Sequence, residues 1–179
     1  MRRSSHLDHR ATAFLLLALL ALAAQGSDAV TDNSAQAAFE QLKTLHGRWI
    51  GEEQTLDGQT RQVEYVYKVQ SNGSAVLETA MAGEPEEMTT VFYMADGQLQ
   101  ASHYCSIGNQ PAFRFAPADD DRITMTFAGG TGFDPAVDGH VHEGWIRVID
   151  GDRMEQNWVF YDKGAAASTM TMTLERQTD

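Results

Sequence analysis

Residues 167–176 read Ala-Ser-Thr-Met-Thr-Met-Thr-Leu-Glu-Arg, and this stretch decides the fold. Met170, Met172 and Leu174 alternate with Thr169, Thr171 and Thr173, a period of two that belongs to a strand with one dry and one wet face. The same pattern returns where Ile123, Met125 and Phe127 alternate with Thr124 and Thr126. From Trp49 onward the period stays near two, broken by short turn signals at Asp57-Gly58, Asn72-Gly73, Asp96-Gly97, Asp150-Gly151 and Lys163-Gly164, and by the polar run Asp119 to Asp121. Asn72-Gly73-Ser74 also spells a glycosylation sequon, but the Asn-Gly hairpin signal accounts for it. Strands are expected near 48–56, 61–70, 75–82, 88–95, 98–107, 112–117, 122–128, 140–149, 153–162 and 167–176. An open meander of that length leaves two edges ready to aggregate, and closure removes both. The sequence therefore predicts an all-β protein, an antiparallel up-and-down barrel of about ten strands. Two longer stretches, 83–87 and 129–138, are the candidate mouth loops, the second rich in glycine and broken by Pro135.

Working back from Trp49, Phe39, Leu42 and Leu45 fall at helical spacing, which predicts a short helix over 35–45, with Asn33 as its cap and Gly47 as its stop. Residues 27–34 are polar and read as a flexible lead-in. Residues 1–26 read as a signal peptide, because Arg2, Arg3 and Arg10 precede an apolar run from Ala13 to Ala24. That run is too short to span a bilayer, which needs about 20 apolar residues. Cleavage is expected after Ala23 or after Gly26. The domain is then 35–179, exported to a periplasm or secreted, with no cysteine near the cleavage point to carry a lipid anchor.

The whole chain of 179 residues has 13 basic and 25 acidic residues. Removing residues 1–26 takes away Arg2, Arg3, Arg10 and Asp8, leaving 10 against 24 and a net charge of about −14. Such a surface repels phosphate backbones and anionic lipid, which argues against nucleic-acid or stable membrane partners. Cys105 stands alone, so no internal disulfide forms and packing must hold the barrel. Oligomeric state is not legible.

The segment Leu45-His46-Gly47-Arg48-Trp49, a short helix running into Gly-x-Trp at the first strand, resembles the opening of lipocalins and related calycin barrels. In those barrels a basic residue near the last strand stacks over that tryptophan, so the resemblance implies a structural set of Gly47, Trp49 and Arg176. His103-Tyr104-Cys105, Gly108-Asn109-Gln110-Pro111 and Gly139-His140-Val141-His142, with Trp158 on the following strand, resemble an uncharacterised family of exported bacterial proteins with a lipocalin-like fold. This resemblance implies fold and compartment, and no activity. The chain departs from it after Pro111, where Ala112-Phe113-Arg114 stands in place of an immediate basic residue.

Alternation sets Leu99, Ala101, His103, Cys105 and Ile107 on one face of the fifth strand, and His140, His142, Gly144, Ile146 and Val148 on one face of the eighth, both read as facing the lumen. A polar group buried there without a partner costs a few kcal/mol, so these side chains need partners or a ligand. One reading makes His103, His140 and His142 a metal or haem site, since His-x-His on a strand lets two rings reach one ion. The plainer reading makes them core hydrogen-bonders with neighbours such as Gln156 or Asn109, and Cys105 a small hydrophobe. A third makes Cys105 a nucleophile with a histidine base, weakened by the absence of an oxyanion site in the pattern. Asn109 and Gln110 either serve a turn or rim the mouth. The leading expectation is an exported barrel that binds a small, mostly apolar molecule through His103, Cys105, Asn109, Gln110, His140, His142, Gln156 and Trp158. A filled barrel with no ligand is the structural alternative.

Overall fold

The computed structural model describes residues 25–54, 59–118 and 120–178. Most of the expected signal segment and the Asp57-Gly58 turn lie outside the described residues. One helix precedes ten strands: α1 (Gln25–Lys43), β1 (Gly47–Gln54), β2 (Thr60–Gln70), β3 (Ala75–Ala80), β4 (Met88–Ala95), β5 (Gln98–Tyr104), β6 (Gln110–Ala116), β7 (Arg122–Thr131), β8 (His140–Val148), β9 (Arg153–Asp162) and β10 (Ala165–Gln177). Every strand pairs antiparallel with its chain neighbour, and β1 pairs with β10 to close the barrel. The expected meander and its closure are both present. The helix begins earlier than the apolar spacing indicated and takes in 27–34, with Asn33 inside it, because no glycine or proline interrupts 27–43.

Successive hairpins alternate between two ends. One end carries α1, whose Ala35, Ala38, Phe39 and Leu42 are buried, and it packs against β4 and β5. Trp49 and Arg176 are register partners in the closing ladder, and the guanidinium lies 4.2 Å from the indole centroid. Arg176 also donates to the carbonyls of Thr44 (2.8 Å), His46 (2.6 Å) and Gly151 (2.6 Å), while Trp49 Nε1 donates to Leu45 O at 2.7 Å. One arginine thus gathers the carbonyls that the end of α1 leaves open and ties them to the last strand. Gly47 makes the approach possible: its φ is +132°, and a Cβ there would meet Arg176 Nη1 at 3.0 Å. Arg176→Lys keeps the charge and loses the planar fork, so we expect a stability loss of about 1–2 kcal/mol in a urea titration.

The other end carries the turns 81–87, 105–109, 132–139 and 163–164. Both longer stretches singled out in the sequence lie at this end, which makes it the mouth, although the second is shorter as a loop than expected: residues 129–131 continue β7 and pair with β6 across a bulge. Asn109 Nδ2 donates to Gly139 O at 2.8 Å, tying two of the mouth segments together.

Candidate functional site

Between the plugged end and the mouth, the barrel carries a row of polar side chains in direct register across four strands. Tyr67 on β2 pairs with Glu78 on β3, Glu78 with Thr90 on β4, and Thr90 with His103 on β5. All four are buried, and the next row toward the plug is apolar: Val69, Val76, Phe92, Ala101 and Phe113. Polar residues survive at this depth because each is hydrogen-bonded to the next. Trp158 Nε1 donates to Gln156 Oε1 (2.8 Å), and Gln156 Nε2 reaches across the lumen from β9 to Tyr67 Oη (2.6 Å). Tyr67 donates to Glu78 Oε2, and Thr90 Oγ1 donates to Glu78 Oε1 at 3.2 Å.

The far end of the row sets a tautomer. With its proton given to the Glu78 carboxylate, Thr90 Oγ1 must accept from His103, whose Nδ1 lies 2.9 Å away. Nδ1 therefore carries the hydrogen, and Nε2 is left with a lone pair. That nitrogen is buried and has no protein partner. Burial holds the His103 imidazole down at about 4, so the ring is neutral near pH 7. Burial also raises Glu78, against the bonds from Tyr67 and Thr90 that favour its charged form. The phenols of Tyr65 and Tyr67 are pushed up by burial and then by the Glu78 charge, so both stay protonated.

Above this row lies a cavity of about 210 Å³ that opens toward the mouth. Its walls include Tyr65, Ala80, Met88, Val141, Trp158, Phe160, Met170 and Met172, and His103 and Cys105 also line it. Glu53, although buried, belongs to the lining as well, and Arg61 holds it at 2.5 Å. Gly144 pairs with Trp158, and a Cβ on Gly144 would meet the indole at 2.3 Å; the missing side chain lets the indole lie across β8.

Of the side chains expected in the lumen, His103, Cys105 and Trp158 line the cavity, and Gln156 is buried in the hydrogen-bonded row beside it. His140 and His142 do not, which corrects their assignment to the lumen. The ladder between β8 and β9 slips between Val141 and Glu143, pairing Val141 with Phe160 and His140 with Tyr161. A bulge of one residue reverses the alternation, so Val141 takes the inward place and the histidines stand on the other face. There His142 stacks on Tyr161 at 3.9 Å and on Phe127 at 4.6 Å, and Phe133 lies 4.8 Å from His140. His140 Nδ1 donates to Asp138 O and its Nε2 accepts from His142 Nδ1, each at 2.9 Å. The pair is committed to each other, the structure does not bring it to His103, and no cluster of three or more His, Cys, Asp or Glu suited to a metal occurs among the described residues. Asn109 and Gln110 also stay outside the cavity: Gln110 Oε1 accepts from Thr131 Oγ1 at 2.8 Å and its Nε2 donates to Gly108 O at 3.2 Å, so both residues brace mouth loops.

Glu78, Thr90 and Tyr67 were not singled out by the sequence reading. The available signal is a carboxylate on an apolar face, since Val76, Glu78 and Ala80 alternate inward along β3.

The fold and cavity define a closed antiparallel ten-strand barrel with a helix against one end and an internal chamber. No protein-family model matches the chain, and no curated protein matches it. Among solved structures it is similar to a protein of unknown function from the DUF3598 family of Nostoc punctiforme, at 14% identity and a TM-score of 0.51, over 76% of this chain and 49% of that one. The chain thus spans about half the length of that neighbour, and the likeness speaks for the fold alone. An S-type phycobiliprotein lyase from Guillardia theta is more distant, at 11% identity and a TM-score of 0.39, over 85% of this chain and 97% of that one.

Proposed function

We propose that the protein is an exported carrier, secreted or periplasmic, whose chamber holds one small, mostly apolar molecule bearing a single hydrogen-bond donor. The observation that supports this reading most is the unpartnered Nε2 of His103 at the floor of an otherwise largely apolar cavity. An unmet acceptor buried there costs roughly 1–3 kcal/mol, which a ligand O–H or N–H restores. A volume of about 210 Å³ lies below the range of about 300–1,000 Å³ typical of drug-sized pockets, so the ligand is of one- or two-ring size. Export rests on the signal-like residues 1–26.

The test compares two probes that differ by one hydroxyl. 2-Naphthol should bind more tightly than naphthalene by about 0.5–1.5 kcal/mol, the net worth of one neutral hydrogen bond. His103→Leu should erase that preference while both probes still bind. Ala80→Phe, which fills the chamber from β3, should weaken both alike. Equal affinities in the parent protein, or binding unaffected by Ala80→Phe, would contradict the proposal.

A further inference from the structure

Beside His103 the cavity wall carries two sulfur atoms. Cys105 Sγ lies 3.9 Å from Met88 Sδ. The β4–β5 register pairs Thr90 with His103, so Met88 and Cys105, each two residues toward the mouth, form the adjoining row. All three side chains line the same cavity. A thiol, a thioether and an unpartnered imidazole nitrogen therefore share one patch of sheet. We infer that this patch is a binding site for a soft monovalent metal ion, copper(I) in chemical class, held by Cys105 Sγ, Met88 Sδ and His103 Nε2.

The spacing suits such an ion. With metal–sulfur bonds of about 2.3 Å, an ion equidistant from sulfurs 3.9 Å apart makes an S–metal–S angle of about 116°, close to trigonal. The third place falls to a nitrogen donor from the row below. Thiolate and thioether together select a soft ion over calcium or magnesium, whose preference is for oxygen. His103 offers the correct nitrogen, because Thr90 occupies Nδ1 and fixes the ring. Met170 and Met172 add sulfur to the opposite wall, although Met172 Sδ already accepts from Tyr65 Oη at 2.9 Å. Glu53 and Glu86 add negative charge to the lining, with Arg61 paired to Glu53. On binding, the Cys105 proton passes to solvent, so affinity falls as the solution is acidified. The donor set contains neither His140 nor His142 and stands independently of the organic-ligand reading, although both ligands would compete for the same nitrogen.

The experiment is an anaerobic titration of the reduced protein against a chromophoric copper(I) chelator, followed by the chelate absorbance. The parent protein should withdraw one copper(I) per chain. Substitutions beyond the ligand atoms already lower metal affinity by about 10–100-fold, so Met88→Leu and Cys105→Ser should each weaken withdrawal at least tenfold. His140→Ala with His142→Ala should leave it unchanged. Met88→Leu nearly conserves volume and decides the matter if another variant fails to fold, which its circular dichroism melt will show. The inference is overturned if the parent withdraws no stoichiometric copper(I), if Met88→Leu withdraws as much as the parent, or if the double histidine variant is the one that loses it.

Discussion

Lowering the pH from 6.5 to 4 will destabilise the protein by about 3 kcal/mol more than it destabilises the His103→Gln variant. The cause is the imidazole at the cavity floor. In the unfolded chain His103 takes up a proton near its ordinary value of 6.5, whereas in the barrel burial holds it down at about 4. Between those values the unfolded state binds the proton and the folded state does not. The stability that His103 contributes is thus fully present above 6.5 and is lost as the pH falls toward 4. With a side chain only 7% exposed, little solvent screening reduces the effect. Glu78 acts in the opposite sense, since its raised value means that its contribution is full below the ordinary carboxylate range and is lost as the pH rises. The half-buried His142, lowered by burial and by its neighbour His140, acts in the same sense as His103. Comparing the protein with His103→Gln cancels both to first order, because each is shared. The measurement is urea unfolding of the two proteins at half-unit steps of pH. A constant difference between them would contradict this, because it would mean that His103 takes up its proton as readily in the barrel as in the unfolded chain.

Trp49→Ala should cost about 3–5 kcal/mol, enough to lower the melting temperature by on the order of 10 °C or more. The indole is fully buried in the core that joins α1 to the barrel. Its removal opens a cavity, strands the Leu45 carbonyl and takes away the surface over which Arg176 lies. Trp49→Phe keeps a ring for the guanidinium and should lose distinctly less. A thermal melt followed by far-ultraviolet circular dichroism ranks the two, and equal losses would mean that a ring kept under the guanidinium contributes nothing and that the whole cost lies in what both variants lose, the Nε1 bond to Leu45 O and the extra volume of the indole.

The plugged base was readable in the sequence because its parts are local or terminal: Gly47-Arg48-Trp49 opens the barrel and Arg176 closes it. Strand order was readable as well. Asp96-Gly97, Asp150-Gly151 and Lys163-Gly164 sit where hairpins reverse, and in a meander chain order is spatial order. Half of the site was legible for the same reason, since the alternation of Leu99, Ala101 and His103 runs unbroken along β5. The eighth strand misled because alternation transmits any slip to every residue beyond it. A single bulge between Val141 and Glu143 put Val141 into the chamber and His140 outside. The trace it leaves is an apolar Val141 out of phase with Gly144 and Ile146. Glu78 escaped for a different reason. What makes it significant is the register with Tyr67 and Thr90, set by two hairpins together, and no single strand pattern carries that.

Nitrogen NMR of the labelled His103 imidazole reads out the bare acceptor at the floor of the chamber. Long-range proton–nitrogen correlation at pH 7 should show Nδ1 as the protonated nitrogen and Nε2 as the bare one, with the Nε2 resonance moving on addition of 2-naphthol and staying put with naphthalene. A protonated Nε2, or a resonance indifferent to 2-naphthol at saturating concentration, would mean that His103 does not accept a hydrogen bond from a ligand in the chamber.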